Sequence, residues 1–212
     1  MQEEINTPFL QRFKKVLASF PDRKFVIVLG GGRPARLYIR FLEAAGCTIE
    51  ECSRIGMDVT RLNAQAFAHF FRGRANKTLP HSFTDVVNLL KKHSVIIAGA
   101  LRFEKENTSD ATAAHLAHSV RSDFINITDV DGLFTADPKK QKHARLVPSV
   151  SFDDFYALAQ KLHYKPGQHF VLDQHATKII REHKVTTYIV GPDLHNLKRL
   201  LQGKSFRGTT IS

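Results

Sequence analysis

Three segments of the sequence combine residue types that bind phosphate. The first is VLGGGRPAR at 28–36, where glycines let the backbone approach a phosphate closely and the following helix offers free N–H groups. Arg36, about one turn into that helix, could add a bidentate contact to the phosphate. A tight strand-to-helix turn is the alternative, but three consecutive glycines exceed what a turn needs. We therefore predict an anion site at Gly30, Gly31 and Gly32 with Arg36.

The second segment is NTSDA at 107–111, at the start of a predicted helix. Thr108 and Ser109 can cap that helix, and their hydroxyls can also bind an anion. The helix dipole favours Asp110 in the first turn. Capping alone explains these residue types, so this segment indicates a site only in combination with others.

The third segment, TDVDGLFTADPKK at 128–140, comes after a predicted buried strand. It is dense in carboxylates, hydroxyls, turn residues and lysines. A solvated turn would explain either half, but the whole string is too specific for a turn alone. We predict that this segment carries part of a binding site.

Apolar patterning defines the elements that hold these segments. Continuous or helically spaced apolar residues predict strands at 25–29, 94–98, 123–127 and 186–190, a strand that could lie at a sheet edge at 208–211, and helices at 8–19, 34–45, 56–71, 83–92, 109–120, 151–162, 173–183 and 193–201. Ser151 and Asp173 are the expected caps of two of the helices. The alternation predicts an α/β fold, a three-layer αβα sandwich with a mostly parallel central sheet. Ligands bind at the carboxyl ends of such strands, and all three segments come after strands.

Composition narrows the class of protein. The 212 residues, 42% of them hydrophobic, suit one domain or two closely packed lobes. No apolar run approaches the ~18 residues of a membrane span, and the polar N-terminus does not resemble a signal peptide. Cys47 and Cys52 suit reduced thiols, so we expect a cytoplasmic protein. His115 and His118 lack a third partner, and no metal-binding side chains are predicted.

The net charge of +11 favours an anionic partner, either a phosphorylated small molecule or nucleic acid. The basic residues are scattered along the chain, without the interleaved aromatic residues of dedicated nucleic-acid domains. Nucleic-acid binding is therefore the least favoured of the functions considered.

The three segments together resemble the amino-acid-kinase superfamily, and especially its archaeal-type UMP kinases. TDVDGLFTADPKK is similar to the family's ATP-binding segment, GGGRPAR to its second glycine loop, and NTSDATAA at 107–114 to its Thr-Thr-Asp-Ala segment. IGMDVTRLNA at 55–64 resembles the helix beside the uridine pocket. KPGQHFVLDQHATKII at 165–180 and GKSFRGTTI at 203–211 resemble the C-terminal part. The resemblance covers nearly the whole chain in the right order.

This resemblance implies transfer of the ATP γ-phosphoryl group to UMP, giving UDP, with Mg²⁺ as cofactor. It implies one amino-acid-kinase domain over 1–212, with an acceptor lobe at 1–122 and an ATP lobe at 123–212. It also implies a homo-oligomer, either a dimer or a hexamer built from dimers.

Motif position implies roles for individual residues. The residues implied in catalysis are Arg36, Asp110 and Asp131. Those implied at the ATP site are Gly32, Thr128, Asp129, Gly132, Phe134, Asp137 and Lys139. Those implied at the acceptor site are Gly30, Gly31, Ser53, Asn107, Thr108 and Ser109.

Three departures from the family pattern motivate a second hypothesis. The family opens with a strand and a Gly-Gly-Ser loop. This sequence starts with MQEEINTPFL, which resembles the segment that follows that loop in the family. We therefore expect the strand and the loop to be absent. Ser53 stands where the family has a ribose-binding aspartate. The loop GALRFEKEN at 99–107 lacks the family's Gly-Gly-Thr and Pro-Gly turn. The alternative is a catalytically weakened relative that binds nucleotide in a regulatory, storage or assembly role.

Overall fold

The computed structural model describes residues 5–101, 108–161 and 171–212. The chain divides into two compact units. The middle unit is Asp22–Val120, and the terminal unit combines Met1–Pro21 with Arg121–Ser212. Within the described ranges, no helix has both the length and the apolar character needed to traverse a bilayer.

The elements alternate as the sequence predicts. In chain order they are α1 (Thr7–Ala18), β1 (Phe25–Val28), α2 (Gly32–Ala44), α3 (Ile49–Phe71), α4 (Phe83–Leu90), β2 (Val95–Ala98), α5 (Ser109–Ser119), β3 (Phe124–Ile127), β4 (Ser149–Val150), α6 (Phe152–Lys161), α7 (Gln174–His183), β5 (Thr187–Val190), α8 (Leu194–Leu201) and β6 (Thr209–Ile211).

In the middle unit, β1 and β2 pair in parallel, with Phe25 opposite Val95 and Val28 opposite Ala98. Every residue of β2 is buried, as expected for a strand covered on both faces. Helices α3 and α4 pack against β2, and α5 packs against β1. The parallel pairing brings the carboxyl ends of the two strands to the same edge, and the predicted glycine segment follows β1 there.

In the terminal unit the strand order is β3-β5-β6-β4. The β3–β5 and β4–β6 pairs are parallel, and β5–β6 is antiparallel. The predicted α/β class with mostly parallel pairing is therefore confirmed. The prediction that β6 could lie at a sheet edge is wrong. Strand β6 pairs with β5 on one side and with the two-residue strand β4 on the other. A strand of two residues is too short for its apolar pattern to be recognised in the sequence.

Capping explains one large error in the predicted boundaries. Helix α3 begins at Ile49 and not at residue 56, because Thr48 and Glu51 form a capping box. The Thr48 hydroxyl accepts the Glu51 N–H at 3.2 Å, and the Glu51 carboxylate accepts the Thr48 N–H at 2.7 Å. The predicted caps at Ser151 and Asp173 are confirmed by bonds from Asp154 N–H and Ala176 N–H.

Asn76 extends the hydrogen bonding of β2 from a loop. Its side chain is only 1% exposed, accepts the Ile97 N–H at 2.7 Å and donates to Ile97 O at 3.0 Å. Replacing Asn76 with alanine leaves the buried N–H and C=O groups of Ile97 without these side-chain hydrogen bonds. We therefore expect the free energy of unfolding to fall by about 2 kcal/mol or more. Urea unfolding measures this. The control is Asn88→Ala, at an exposed position on α4, which should change the free energy of unfolding by less than about 0.5 kcal/mol. If both variants lost the same stability, the structural role given to Asn76 would be contradicted.

Asp85 makes the start of α4 sensitive to acid. Its carboxylate accepts the N–H groups of His81 and Ser82 at 2.9 and 3.0 Å. The His81 N–H, and next the Ser82 hydroxyl, hold the Asp85 pKa below its ordinary value. The ionised form thus stabilises the fold above the unfolded pKa of about 3.9, and this contribution is lost as pH falls through the lower folded pKa.

We therefore expect Asp85→Asn to destabilise the protein at pH 7 and to have a smaller effect as pH falls below about 3.9. Urea unfolding of both proteins across this range measures the difference. A difference that stays constant with pH would contradict the assignment.

Candidate functional site

The glycine segment lies at the carboxyl end of β1. Gly30 and Gly31 connect the strand to α2, whose first residue is Gly32. Gly32 has φ of +61°, a left-handed value that glycine adopts without steric cost. The first N–H groups of a helix have no intrahelical partner, and the dipole favours an anion there. The geometry of this loop therefore suits a phosphate.

The start of α5 lies beside this glycine segment. A Cβ atom on Gly30 would stand 3.3 Å from the Ser109 hydroxyl oxygen. The predicted cap at Thr108 is confirmed, because its hydroxyl accepts the Ala111 N–H at 3.0 Å. Two helix N-termini and a serine hydroxyl thus lie at one place in the middle unit. We call Gly30, Gly31, Gly32, Thr108 and Ser109 the glycine-loop cluster.

Of the other residues predicted in the middle unit, the structure describes Asp110, Arg36 and Ser53. Asp110 is in the first turn of α5, and Arg36 is exposed one turn into α2. Ser53 is half-buried on α3, one turn before Gly56, whose carbonyl oxygen lies 3.6 Å from the Cβ position of Gly31. Asn107 lies outside the described residues.

The terminal unit carries a second group at the carboxyl ends of β3 and β5. The Thr128 N–H donates to Val190 O at 3.0 Å, which continues the parallel ladder by one bond. Beyond it, the Asp129 carboxylate pairs with the Lys139 ammonium group, and both side chains are exposed. The Asp131 carboxylate accepts the Arg207 Nε–H at 2.6 Å. Predicted carboxylates and a predicted lysine therefore lie together after β3.

The rest of the segment is held to the strands beside it. Gly132 is buried, and the next residue, Leu133, donates its N–H to the Thr209 hydroxyl at 2.8 Å. Phe134 forms an antiparallel bridge with Leu146. Asp137 accepts the Lys139 N–H at 2.9 Å in a local turn. We call Thr128, Asp129, Asp131, Gly132, Phe134, Asp137 and Lys139 the β3-loop cluster.

Sequence reasoning missed Arg207 as a neighbour of this cluster. Asn196, on α8, holds the Arg207 backbone from both sides: its Oδ1 accepts the Arg207 N–H at 2.7 Å, and its Nδ2 donates to Arg207 O at 2.6 Å. The guanidinium group is thereby directed to Asp131. The partners are 76 residues apart, so no local pattern indicates their contact.

The acidic side chains suit a metal ion that arrives with a phosphorylated ligand. Among the described residues, no three His, Cys, Asp or Glu side chains converge as a metal site would require. Asp129 and Asp131 are exposed enough to reach solvent and are each balanced by one cation. Mg²⁺ commonly uses only one or two carboxylates and takes its other ligands from phosphates and water.

A sequence profile of the amino acid kinase family matches residues 3–191. The chain is 33% identical over 210 residues to the uridylate kinase of Thermoplasma volcanium, covering 99% of this chain and 91% of the relative. It is also 33% identical over 205 residues to the uridylate kinase of Archaeoglobus fulgidus, covering 96% and 92% respectively.

Solved structures show the same likeness. The crystal structure of uridylate kinase from Archaeoglobus fulgidus superposes with a TM-score of 0.85 at 32% identity, covering 98% of this chain and 94% of that one. A UMP kinase from Bacillus anthracis superposes with a TM-score of 0.79 at 22% identity, which supports the fold alone. The profile match and the near full-length similarity agree with the predicted fold, and the chain belongs to the amino acid kinase family.

Proposed function

We propose that this protein is a nucleoside monophosphate kinase that transfers the γ-phosphoryl group of ATP to UMP, giving ADP and UDP. The observation that carries the proposal is the similarity to uridylate kinases over 99% of the chain. Two clusters of residue types suited to phosphate, which follow parallel strands, support it. A catalytically weakened relative has no observation of comparable weight in its favour.

The glycine-loop cluster is our candidate acceptor site. Backbone N–H groups at two helix starts and the Ser109 hydroxyl can hold the UMP phosphate without a side-chain charge. Arg36 and Asp110 are the residues of this unit that we assign to catalysis. Ser53 and Asn107 complete the proposed acceptor site, and a serine at 53 would give the ribose a weaker hold than a carboxylate.

The β3-loop cluster is our candidate ATP site in the terminal unit, and Gly32 remains a proposed ATP-binding residue of the middle unit. Lys139 and Arg207 supply positive charge at its exposed edge, and Asp131 orients the arginine. Middle and terminal units would thus bind acceptor and donor respectively. In the reaction a UMP phosphate oxygen attacks the γ-phosphorus, and the bond to the β,γ-bridging oxygen breaks. Phosphoryl transfer of this kind depends mainly on positioning and neutralised charge.

Mg²⁺ is the cofactor that this chemistry requires. Bound to the ATP phosphates, it would neutralise charge that develops on the oxygens. Asp129 and Asp131 are the carboxylates available to hold it from the protein side. Asp129 is paired with Lys139 and Asp131 with Arg207, so each carboxylate already has a cation beside it.

We also propose a cytoplasmic homo-oligomer. Helices α2 and α3 expose large apolar side chains, among them Phe41 at 66% and Leu62 at 69%. Exposed apolar side chains that lie together on a surface usually mark an interaction site. Light scattering on the purified protein would give the mass of the assembly.

The test of function is ADP release from Mg-ATP with UMP, CMP, AMP or no acceptor, with calorimetric ATP binding on the same sample. We expect UMP to give the largest stimulation of ADP release. ATP binding without turnover would support the weakened relative. A basic nucleic-acid-binding domain would instead show salt-sensitive binding to nucleic acid and no turnover.

A further inference from the structure

One turn of α3 contacts both loops that leave the parallel strands of the middle unit. Asn63 donates its amide N–H to Gly30 O at 2.9 Å, on the loop after β1. Because the peptide group is planar and trans, the Gly31 N–H points away from the Gly30 carbonyl that Asn63 binds. Asn63 therefore fixes which side of the glycine loop presents its N–H groups to a ligand.

Thr60 and Arg61 hold the loop after β2 in the same way. The Thr60 hydroxyl donates to Met57 O at 2.7 Å and accepts the Ala100 N–H at 2.9 Å. Arg61 donates from Nη1 to Ala100 O at 3.0 Å. Both polar groups of the Ala100 backbone are thus bound by consecutive residues of α3.

The contact between Thr60 and Ala100 is close and buried. Thr60 and Ala100 are 8% and 5% exposed. The residue before Ala100 is Gly99, where a Cβ atom would stand 2.8 Å from the Thr60 carbonyl oxygen. Gly99 and Ala100, at the start of the loop after β2, therefore lie directly on the backbone of α3, and the buried hydrogen bond between Ala100 and Thr60 is costly to break.

We propose that Thr60, Arg61 and Asn63, which we call the α3 clamp, are positioning residues for the acceptor phosphate. They set the spacing between the glycine loop, the loop after β2 and Ser109, since Gly30 lies against Ser109. The inference rests on the proposed kinase function. Misplacing an acceptor by about 1 Å can cost on the order of 100-fold in rate, so the clamp contributes to catalysis without touching substrate.

The main test replaces Thr60 with valine, which keeps the shape of the side chain and removes the hydroxyl. We expect kcat/KM for UMP to fall about 10- to 100-fold, while KM for ATP changes less than about twofold. Thr60→Ser, which retains the hydroxyl, should restore most of the activity. Asn63→Ala, at a half-buried position, should also lower kcat/KM for UMP. This second variant keeps the inference testable if the Thr60→Val protein does not fold.

Thr177→Val is the matched control. Thr177 is fully buried in the terminal unit, and its hydroxyl donates to Gln174 O at 2.8 Å within α7. The substitution removes the same kind of intrahelical bond but leaves the loops of the middle unit untouched. Its constants for UMP should stay at the wild-type values.

Hydrogen exchange supplies a readout that needs no activity. Peptides covering 95–101 should exchange faster in Thr60→Val than in wild type or Thr177→Val. Two results would overturn the positioning role and leave the kinase proposal intact. One is unchanged exchange of the 95–101 peptides in Thr60→Val. The other is unchanged kcat and KM for UMP in both Thr60→Val and Asn63→Ala, measured where the wild type is active. A wild type that makes no UDP would overturn the kinase proposal and the positioning role together, whatever the exchange result.

Discussion

Gly99→Ala should lower kcat/KM for UMP by about 100-fold, the largest effect we expect from adding a single methyl group. The added Cβ atom would lie 2.8 Å from Thr60 C, Thr60 O and Arg61 N, all of them backbone atoms of α3. No side-chain rotation can relieve these contacts, so the loop after β2 must move away from the helix. We also expect a loss of roughly 1–3 kcal/mol in the free energy of unfolding.

Gly56→Ala is the control for this prediction. It lies on α3 as well, but its Cβ atom would meet only the Ile39 Cδ1 atom at 3.4 Å, the end of a flexible side chain. Alanine should therefore be tolerated there and could stabilise the helix by up to about 1 kcal/mol. Steady-state kinetics and thermal unfolding of both variants measure the contrast. Equal tolerance at the two positions would contradict the packing of the loop on α3.

Asp131→Asn is expected to lower kcat by about 100-fold. The substitution removes a negative charge from the β3-loop cluster and weakens the 2.6 Å hydrogen bond from Arg207. If Asp131 acts mainly by orienting the arginine, Arg207→Gln should cause a similar loss, and the double variant should be little worse than either single one. Steady-state kinetics of the three variants with Mg-ATP and UMP measure this.

The matched control for the pair is Glu182→Gln. Glu182 forms an exposed ion pair with Lys178 at 3.9 Å, also in the terminal unit and outside the β3-loop cluster. Pairs of this kind contribute little, so stability and kinetics should stay near wild type. A loss below about threefold in Asp131→Asn would remove Asp131 from the proposed machinery.

The sequence predicted those parts of the fold that local patterns determine. Continuous apolar runs such as VIIA at 95–98 can be recognised as buried strands from their own residues. Strand β4 has two residues and no pattern, and without it the position of β6 inside the sheet could not be predicted. The start of α3 was predictable in principle, since Thr48 and Glu51 have capping-box spacing, but apolar periodicity alone placed it later.

For the candidate site, the sequence predicted the loops and missed the residues that hold them. Glycines and hydroxyls after strands point to phosphate binding by their residue types alone. The residues that fix those loops act over long sequence separations: Arg61 on Ala100 across 39 residues, Asn63 on Gly30 across 33. The residue type alone indicates neither role, because each depends on which loop the fold brings beside α3.

The most direct test of the kinase proposal is a product balance. Wild-type protein is incubated with Mg-ATP and UMP, and ADP and UDP are separated and measured by ion-exchange chromatography. We predict ADP and UDP in equal amounts, and neither product above background when UMP is left out. ADP without matching UDP, or no product in a sample that binds ATP, would contradict phosphoryl transfer to UMP.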